Sequence, residues 1–126
     1  MVNDKPLDTC KRAFELVKTF QDEMSLVKKP YDLSMVKMMI LRTLDDEQTT
    51  CTATAIQDRL PVRSTNITYN LQSLIRDGFI KSGRHEVDRR SIQLSLTEKG
   101  TEALVDINNL FSRVADKTVK RIEARL

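Results

Sequence analysis

Residues 63–100 read RSTNITYNLQSLIRDGFIKSGRHEVDRRSIQLSLTEKG, and their hydrophobic pattern changes period midway. The first part carries apolar residues at three- and four-residue steps, which predicts a helix over 63–77 with one inward stripe: Ile67, Leu71, Leu74 and Ile75. Gly78 stands where a helix-terminating glycine belongs. Residues 79–82 then form a candidate strand, and residues 91–96 alternate polar and apolar strictly. The stretch therefore predicts a helix followed by a β-hairpin.

The flanking sequence predicts further helices. Apolar residues at helical spacing indicate one helix over about 7–28, ended by Pro30, and another from near Leu33. Residues 49–52 are mostly β-branched and predict a short extended segment, with a short helix over 53–59 behind it. Thr97 is placed to cap a last helix that runs to about residue 125.

This order of elements is that of a winged helix-turn-helix: a mainly α fold with a small β-hairpin wing and long N- and C-terminal helices. We expect a single domain over residues 1–126. Its winged helix-turn-helix core is predicted over 33–97, and the helices over 7–29 and 98–126 are predicted to serve dimerisation.

Composition excludes several classes of protein. The chain has one histidine, two cysteines and a net charge of only +3. No apolar run is long enough to cross a bilayer, and the opening MVNDKP lacks the apolar segment of a secretory signal. The sequence contains no metal-ligand set, nucleophile–base pair or phosphate-binding loop. We expect a cytoplasmic protein that is not an enzyme and holds no cofactor or metal.

The outward side of the predicted helix carries short polar side chains and no carboxylate. No Asp or Glu occurs over 62–76, although charged residues make up 31% of the chain. A generic solvated helix would carry acidic residues, whereas hydroxyls, amides and guanidinium groups bind phosphates and read base edges. We predict that the helix over 63–77 enters the major groove of DNA and uses Arg63, Ser64, Thr65, Asn66, Thr68, Tyr69, Asn70 and Ser73.

The hairpin adds localised positive charge. Residues 60–96 hold six basic and three acidic side chains, and six minus three equals the net charge of the whole chain. An arginine on a thin hairpin can enter a minor groove, where the potential is most negative. We predict a DNA-contacting wing over 83–90 with four basic side chains: Arg84, His85, Arg89 and Arg90. Phosphate would repel Asp88, so its predicted role is to orient Arg90 by a charge-assisted hydrogen bond.

Two motifs at the right separation resemble the MarR family. DRRS at 88–91, the alternating strand and LTEKG at 96–100 are similar to its wing signature. The apolar spacing over 67–80 is similar to that family's recognition helix and its exit into the wing. The resemblance covers about residues 33–100.

The resemblance implies a homodimer with intertwined terminal helices that binds pseudo-palindromic duplex DNA, with Arg90 in the minor groove. Many members are repressors released by a small ligand or by thiol oxidation, which leaves room for a small-molecule effector of unknown identity. Cys10 in the first helix is either a redox sensor of that kind or an incidental free thiol. The chain departs from the family pattern at Asn70, a position that is often apolar, and after Gly100, where one helix stands in place of two.

The terminal helices carry apolar stripes too long for so small a core to cover. Pairing with a second copy would bury them, and the predicted interface positions are Phe14, Phe20, Phe111 and Ile122. The sequence thus favours a dimeric, sequence-specific regulator of transcription that binds double-stranded DNA, most simply a repressor. The alternative is a winged-helix module that binds another protein without specific DNA binding, with Tyr69 as its only candidate anchor.

Overall fold

The computed structural model describes residues 4–46, 51–84 and 92–123, which form five helices and one two-stranded antiparallel sheet. In chain order the elements are α1 (Lys5–Tyr31), α2 (Met35–Asp46), α3 (Ala53–Arg59), α4 (Ser64–Arg76), β1 (Ile80–Arg84), β2 (Ile92–Leu96) and α5 (Glu98–Glu123). The predicted fold class, mainly α with a β-hairpin wing, is confirmed.

The chain divides into two compact units. The winged unit runs from Leu33 to Ile107 and holds α2, α3, α4, the hairpin and the start of α5. The terminal unit contains the residues up to Asp32 and those from Asn108 onward. The core of the winged unit consists of fully buried aliphatic side chains from α2, α3, α4, β1 and α5: Ile40, Leu41, Ile56, Ile67, Leu74, Ile80 and Ile107. Each contributes roughly 1.5–3 kcal/mol by leaving water.

A third extended segment joins the hairpin. β1 and β2 pair antiparallel with Ile80 opposite Leu96. Cys51 N donates to Leu94 O at 3.0 Å, and Leu94 N donates to Cys51 O at 2.7 Å. The extended segment predicted over 49–52 is confirmed at Cys51, which is buried, while its first two residues lie outside the described residues.

Gly78 ends α4 as the sequence predicts. Its φ is +86°, in the left-handed region that a glycine adopts without a Cβ penalty. Gly78 N donates to Ile75 O at 3.1 Å and Phe79 N donates to Leu74 O at 2.9 Å, the bond pair of a Schellman ending. The chain therefore turns directly from α4 into β1, and this turn sets where the hairpin leaves the helix.

The predicted cap of α5 is also confirmed. Thr97 Oγ1 accepts from Gly100 N at 3.2 Å and donates to Gly78 O. Gly100 itself lies against the backbone that precedes β1, since a Cβ placed there would overlap with Phe79 O. The glycine in the first turn of α5 thus permits a close approach of helix and strand.

Two predicted boundaries are wrong. α1 continues through Pro30 to Tyr31, because a proline φ of about −65° suits a helix and costs one hydrogen bond there. The break falls instead at Asp32, whose φ of 50° is left-handed. β1 extends to Arg84, into the turn predicted over 83–88, because pairing with β2 satisfies its backbone groups.

Candidate nucleic-acid interface

α3 and α4 form the helix-turn-helix pair of the winged unit. They pack on each other and on α2, with Ile56 from α3 and Ile67 from α4 fully buried. Thr52 Oγ1 caps α3 by accepting from Ala55 N at 3.2 Å. α4 also packs against β1, so its buried side is held by three elements and its other side faces solvent.

The solvent side of α4 is polar along its whole length. Tyr69 is the most prominent side chain on it, 70% exposed. The other exposed side chains of the helix are all uncharged or basic: Ser64, Thr65, Asn66, Thr68, Gln72 and Arg76. Arg63, also exposed, precedes the helix. The first carboxylate is Asp77, after the helix ends.

Two residues predicted to contact DNA from this helix are buried. Asn70, predicted on the flank of the helix, is 7% exposed, and Ser73, predicted on its outward side, is 4% exposed, so neither side chain is available to DNA as predicted. Successive helical residues turn by about 100°, which puts Asn70 about 60° from Ile67 and Ser73 about 60° from Asn70. Both fall on the flank of the apolar stripe that neighbouring elements cover. Ser73 Oγ accepts from Arg76 Nη2 at 3.2 Å.

Gln72 is an exposed residue that the sequence pattern did not single out. It lies four residues after Thr68 and three after Tyr69, so the three share one side of α4. This three- and four-residue spacing was the sequence signal that could have identified Gln72 as exposed. A glutamine amide has a donor and an acceptor and can pair with adenine in the major groove.

Thr68 is exposed, yet its hydroxyl has partners within the helix-turn-helix. Thr68 Oγ1 donates to Ser64 O at 2.9 Å and accepts from Gln57 Nε2 at 3.4 Å. The contact joins α3 to α4 on the solvent side. Its effect is to hold the first turns of α4 against the preceding helix.

Exposed basic side chains border the polar face of α4. Arg63 lies at its start, Arg76 at its end and Lys81 on β1. Arg76 Nε lies 3.7 Å from Asp77 Oδ1, an exposed pair that water screens strongly. Positive groups of the kind that bind backbone phosphates therefore lie at both ends of this face and on the neighbouring strand.

The predicted wing contacts fall largely outside the described residues. Arg84 is the last residue of β1, and its side chain is outside the described part. His85, Asp88, Arg89 and Arg90 lie outside it altogether. Their DNA contacts stay predictions.

The terminal unit exposes apolar side chains along α1. Phe14 is 69% exposed, and Leu7 and Val17 are each 54% exposed. Phe20 and Phe111 are half-buried, whereas Ile122 belongs to α5 with its side chain outside the described residues. The exposure of three predicted interface residues, Phe14, Phe20 and Phe111, is therefore known. The interface itself stays a prediction.

A buried carboxylate joins α1 to α5 within the terminal unit. Glu23 is 4% exposed, and Lys117 Nζ donates to its Oε1. Arg113 Nε lies 3.4 Å from Oε2. The hydrogen bond from Lys117 holds the pKa of Glu23 below its usual value, while burial acts in the opposite direction.

Residues 33–92 match the model of the MarR family. The winged helix-turn-helix part of the chain is therefore similar to the MarR family. The HTH-type transcriptional regulator BilQ of Clostridioides difficile strain CD3 is 30% identical over 98 residues, which are 78% of this chain and 66% of BilQ. The chain spans less than two thirds of the length of the curated relatives it matches.

Solved structures share the fold at lower identity. Bordetella bronchiseptica BpsR, whose DNA binding is regulated by 6-hydroxynicotinic acid, superposes with a TM-score of 0.77 at 14% identity, over 94% of this chain and 82% of BpsR. The transcriptional regulator BldR of Sulfolobus solfataricus gives 0.71 at 18% identity, over 100% of both chains. Together with the family match over 33–92, this confirms the MarR resemblance seen in the sequence. BilQ and BldR are both named as regulators of transcription.

No group of His, Cys, Asp and Glu among the described residues is arranged to hold a metal ion. None of the described helices is both long and apolar enough to cross a membrane. Cys10 is exposed on α1, and its role as a redox sensor stays a prediction.

Proposed function

We propose that this MarR-family protein is a sequence-specific regulator of transcription that binds double-stranded DNA as a homodimer and acts as a repressor. α4 is its recognition helix and lies in the major groove, and the wing over 83–90 lies in the minor groove. The family match and the relative BilQ, a regulator of transcription, support this proposal.

The observation that carries the proposal is the solvent side of α4. An α-helix with its side chains is about 10–12 Å across and the major groove is about 12 Å wide, so the helix fits with that side inward. The side offers hydroxyls, amides and a phenol to base edges and no carboxylate to the phosphates. The amended set of contacts on or beside α4 is Arg63, Ser64, Thr65, Asn66, Thr68, Tyr69, Gln72 and Arg76.

The wing contributes the second set of contacts in this proposal. Arg90 enters the minor groove, and Asp88 orients it. Arg84, His85 and Arg89 bind flanking phosphates. The local excess of basic residues over 60–96 supports this part, since the rest of the chain is neutral overall.

A second copy of the chain covers the exposed apolar side of α1. Leu7, Phe14 and Val17 fall within about 80° of one another on the helix, so they form one strip. Isolated apolar side chains are common on surfaces, but three aligned along a single helix form a patch of the kind that marks an interface. Pairing two copies also supplies the two recognition helices that a pseudo-palindromic operator requires.

BpsR makes an aromatic acid the first class of effector to test. We propose that a small aromatic ligand releases this protein from DNA, because 6-hydroxynicotinic acid regulates the DNA binding of BpsR. Titration of 6-hydroxynicotinic acid and simple phenols into the protein–DNA complex tests this, with release of labelled DNA as the expected result.

Fluorescence anisotropy with duplex DNA from upstream of the protein's own gene tests the function. We expect this duplex to bind at least ~10³-fold more tightly than unrelated duplex, with a steep dependence on salt. Arg90→Ala should weaken binding and reduce the slope of log affinity against log salt by about one, because one phosphate-groove contact is lost. Arg12→Ala is the matched control, since Arg12 is exposed on α1 and outside the winged unit.

The remaining outcomes separate the alternatives. Equal, weak binding to every duplex that vanishes with salt would overturn sequence-specific recognition. Absence of binding at every salt concentration would favour the protein-binding module, with the exposed ring of Tyr69 as its anchor. An Arg90→Ala variant with unchanged affinity and salt slope would overturn the role of the wing.

A further inference from the structure

The buried amide of Asn70 holds the exposed amide of Asn66 in one orientation. Asn70 lies one helical turn after Asn66 and is 7% exposed. Its Nδ2 donates to the backbone O of Asn66 at 2.9 Å and to Asn66 Oδ1 at 2.6 Å. Asn70 therefore donates both of these hydrogen bonds to Asn66. The bond to Oδ1 fixes the end of the Asn66 side chain.

The orientation decides which group Asn66 offers to a base. The Oδ1 atom of Asn66 is turned along α4 toward Asn70. The Nδ2 atom of Asn66, at the other tip of the planar amide, therefore faces away from Asn70. A freely rotating asparagine can present oxygen and nitrogen together, as it does in a bidentate pair with adenine N7 and N6. With its oxygen engaged by Asn70, Asn66 presents N–H donors.

Asn70 has little other effect on the fold through its side-chain amide. The two donated bonds stay within one turn of α4 and join no second element. Leucine would suit a buried position beside Leu71 and Leu74 better, since an amide loses hydration there. The main effect of an asparagine at position 70 is therefore to fix the orientation of the Asn66 amide.

Resting on the proposed function, we infer that Asn70 is a positioning residue that determines base specificity by fixing Asn66 as a hydrogen-bond donor. Guanine presents two acceptors in the major groove, O6 and N7, whereas adenine pairs an acceptor with a donor and cytosine presents a donor. Thymine presents a single acceptor, O4, beside its methyl group, so the base that Asn66 contacts is guanine, which alone presents two acceptors.

Selection from a randomised duplex DNA library, followed by sequencing of the bound fraction, tests this inference. The proteins compared are the wild type, Asn66→Ala, Asn70→Leu, Asn70→Ala and the double variant of Asn66→Ala with Asn70→Leu. We expect Asn66→Ala to remove a guanine preference of about tenfold at one position of each half-site. Asn70→Leu and Asn70→Ala should shift that position toward adenine, and the double variant should match Asn66→Ala.

Gln72→Ala is the matched control, because Gln72 is exposed on the same helix and has no hydrogen bond with Asn70. Gln72→Ala should change the base preference at a different position of the half-site. The size of this change should be the same whether residue 70 is asparagine or leucine. Thermal unfolding verifies that each variant is folded, and Asn70→Ala replaces Asn70→Leu if the larger side chain disrupts the helix.

Two results overturn the inference and are distinguishable. A wild type that enriches no sequence defeats the proposed function, and with it any role in specificity. A wild type that enriches a sequence, while folded Asn70 variants keep the guanine preference unchanged, defeats only the role of Asn70.

Discussion

Gln72 extends the exposed side of α4 by one turn beyond Thr68 and Tyr69. Its amide reaches a base edge in the proposed complex, so Gln72→Ala should lower affinity for the selected duplex about tenfold and leave affinity for unrelated duplex unchanged. Anisotropy titrations with both duplexes measure the two affinities. Gln21→Ala, at an exposed position of α1, is the matched control. An equal loss on both duplexes would assign Gln72 to phosphate binding instead.

Residue-level burial on α4 could be predicted only in part. The apolar stripe correctly identified Ile67, Leu71 and Leu74 as buried, because large aliphatic side chains reach the core only from the middle of the packed side. Asn70 and Ser73 lie on the flanks, where burial depends on how far the neighbouring elements extend. That distance is a tertiary property, so the pattern along one helix does not contain it.

The contact between α5 and the start of β1 predicts a strong effect of one methyl group. A Cβ on Gly100 would overlap with Phe79 O, a backbone atom that also accepts from Thr97 N. Gly100→Ala should therefore destabilise the protein by about 1–3 kcal/mol, although alanine favours helices, because the helix must move to relieve the overlap. Urea unfolding measures the change.

Gly83→Ala is the matched control for this contact. Nothing lies within 4 Å of a Cβ at Gly83, which is paired within β1. Its unfolding midpoint should stay close to that of the wild type. Equal destabilisation by both substitutions would contradict the packing explanation and point to a general loss of glycine flexibility.

The link between α1 and α5 makes stability depend on pH. Because the pKa of Glu23 is lower in the folded chain than its ordinary 4.5, ionised Glu23 stabilises the fold above that pH. The contribution disappears as the pH falls through the lowered folded pKa. Glu23→Gln should thus lower the urea midpoint at pH 7, and the difference from the wild type should shrink at pH values well below 4.5.

Glu102→Gln, an exposed position on α5, should give a midpoint close to wild type at both pH values. A Glu23→Gln difference that is equal at neutral and acid pH would assign the effect to packing rather than to charge. The burial of Glu23 could not be predicted from the sequence, since a glutamate beside Asp22 on a helix gives no signal of burial.

Element boundaries were predictable where a side chain satisfies the backbone locally. Thr97 and Gly78 were both identified from sequence, because a hydroxyl cap and a left-handed glycine act within one turn of chain. Pro30 misled the prediction, since proline removes one hydrogen bond without forcing the helix to stop. The DNA contacts predicted for the wing over 83–90 stay predictions that rest on sequence alone.

The two units of the chain carry surfaces of different chemistry. The polar side of α4 and the basic residues beside it belong to the winged unit, whereas the apolar strip of α1 belongs to the terminal unit. The first suits a polyanion and the second suits burial against another apolar surface. In the proposed dimer, assembly depends on one unit and DNA contact on the other, so we expect mutation to separate the two properties.

Phe14→Glu puts that separation to the test. A carboxylate in the centre of the apolar strip would be buried without a partner in the proposed dimer, so the protein should change from dimer to monomer mass in light scattering at micromolar concentration. Affinity for a duplex with two half-sites about 34 Å apart should fall at least 100-fold, since both recognition helices no longer bind together. Binding to a single half-site should stay unchanged, because α4 is intact. Thr9→Glu, which introduces the same group about 140° around the helix, should remain dimeric, and a wild type that is already monomeric would contradict the dimer.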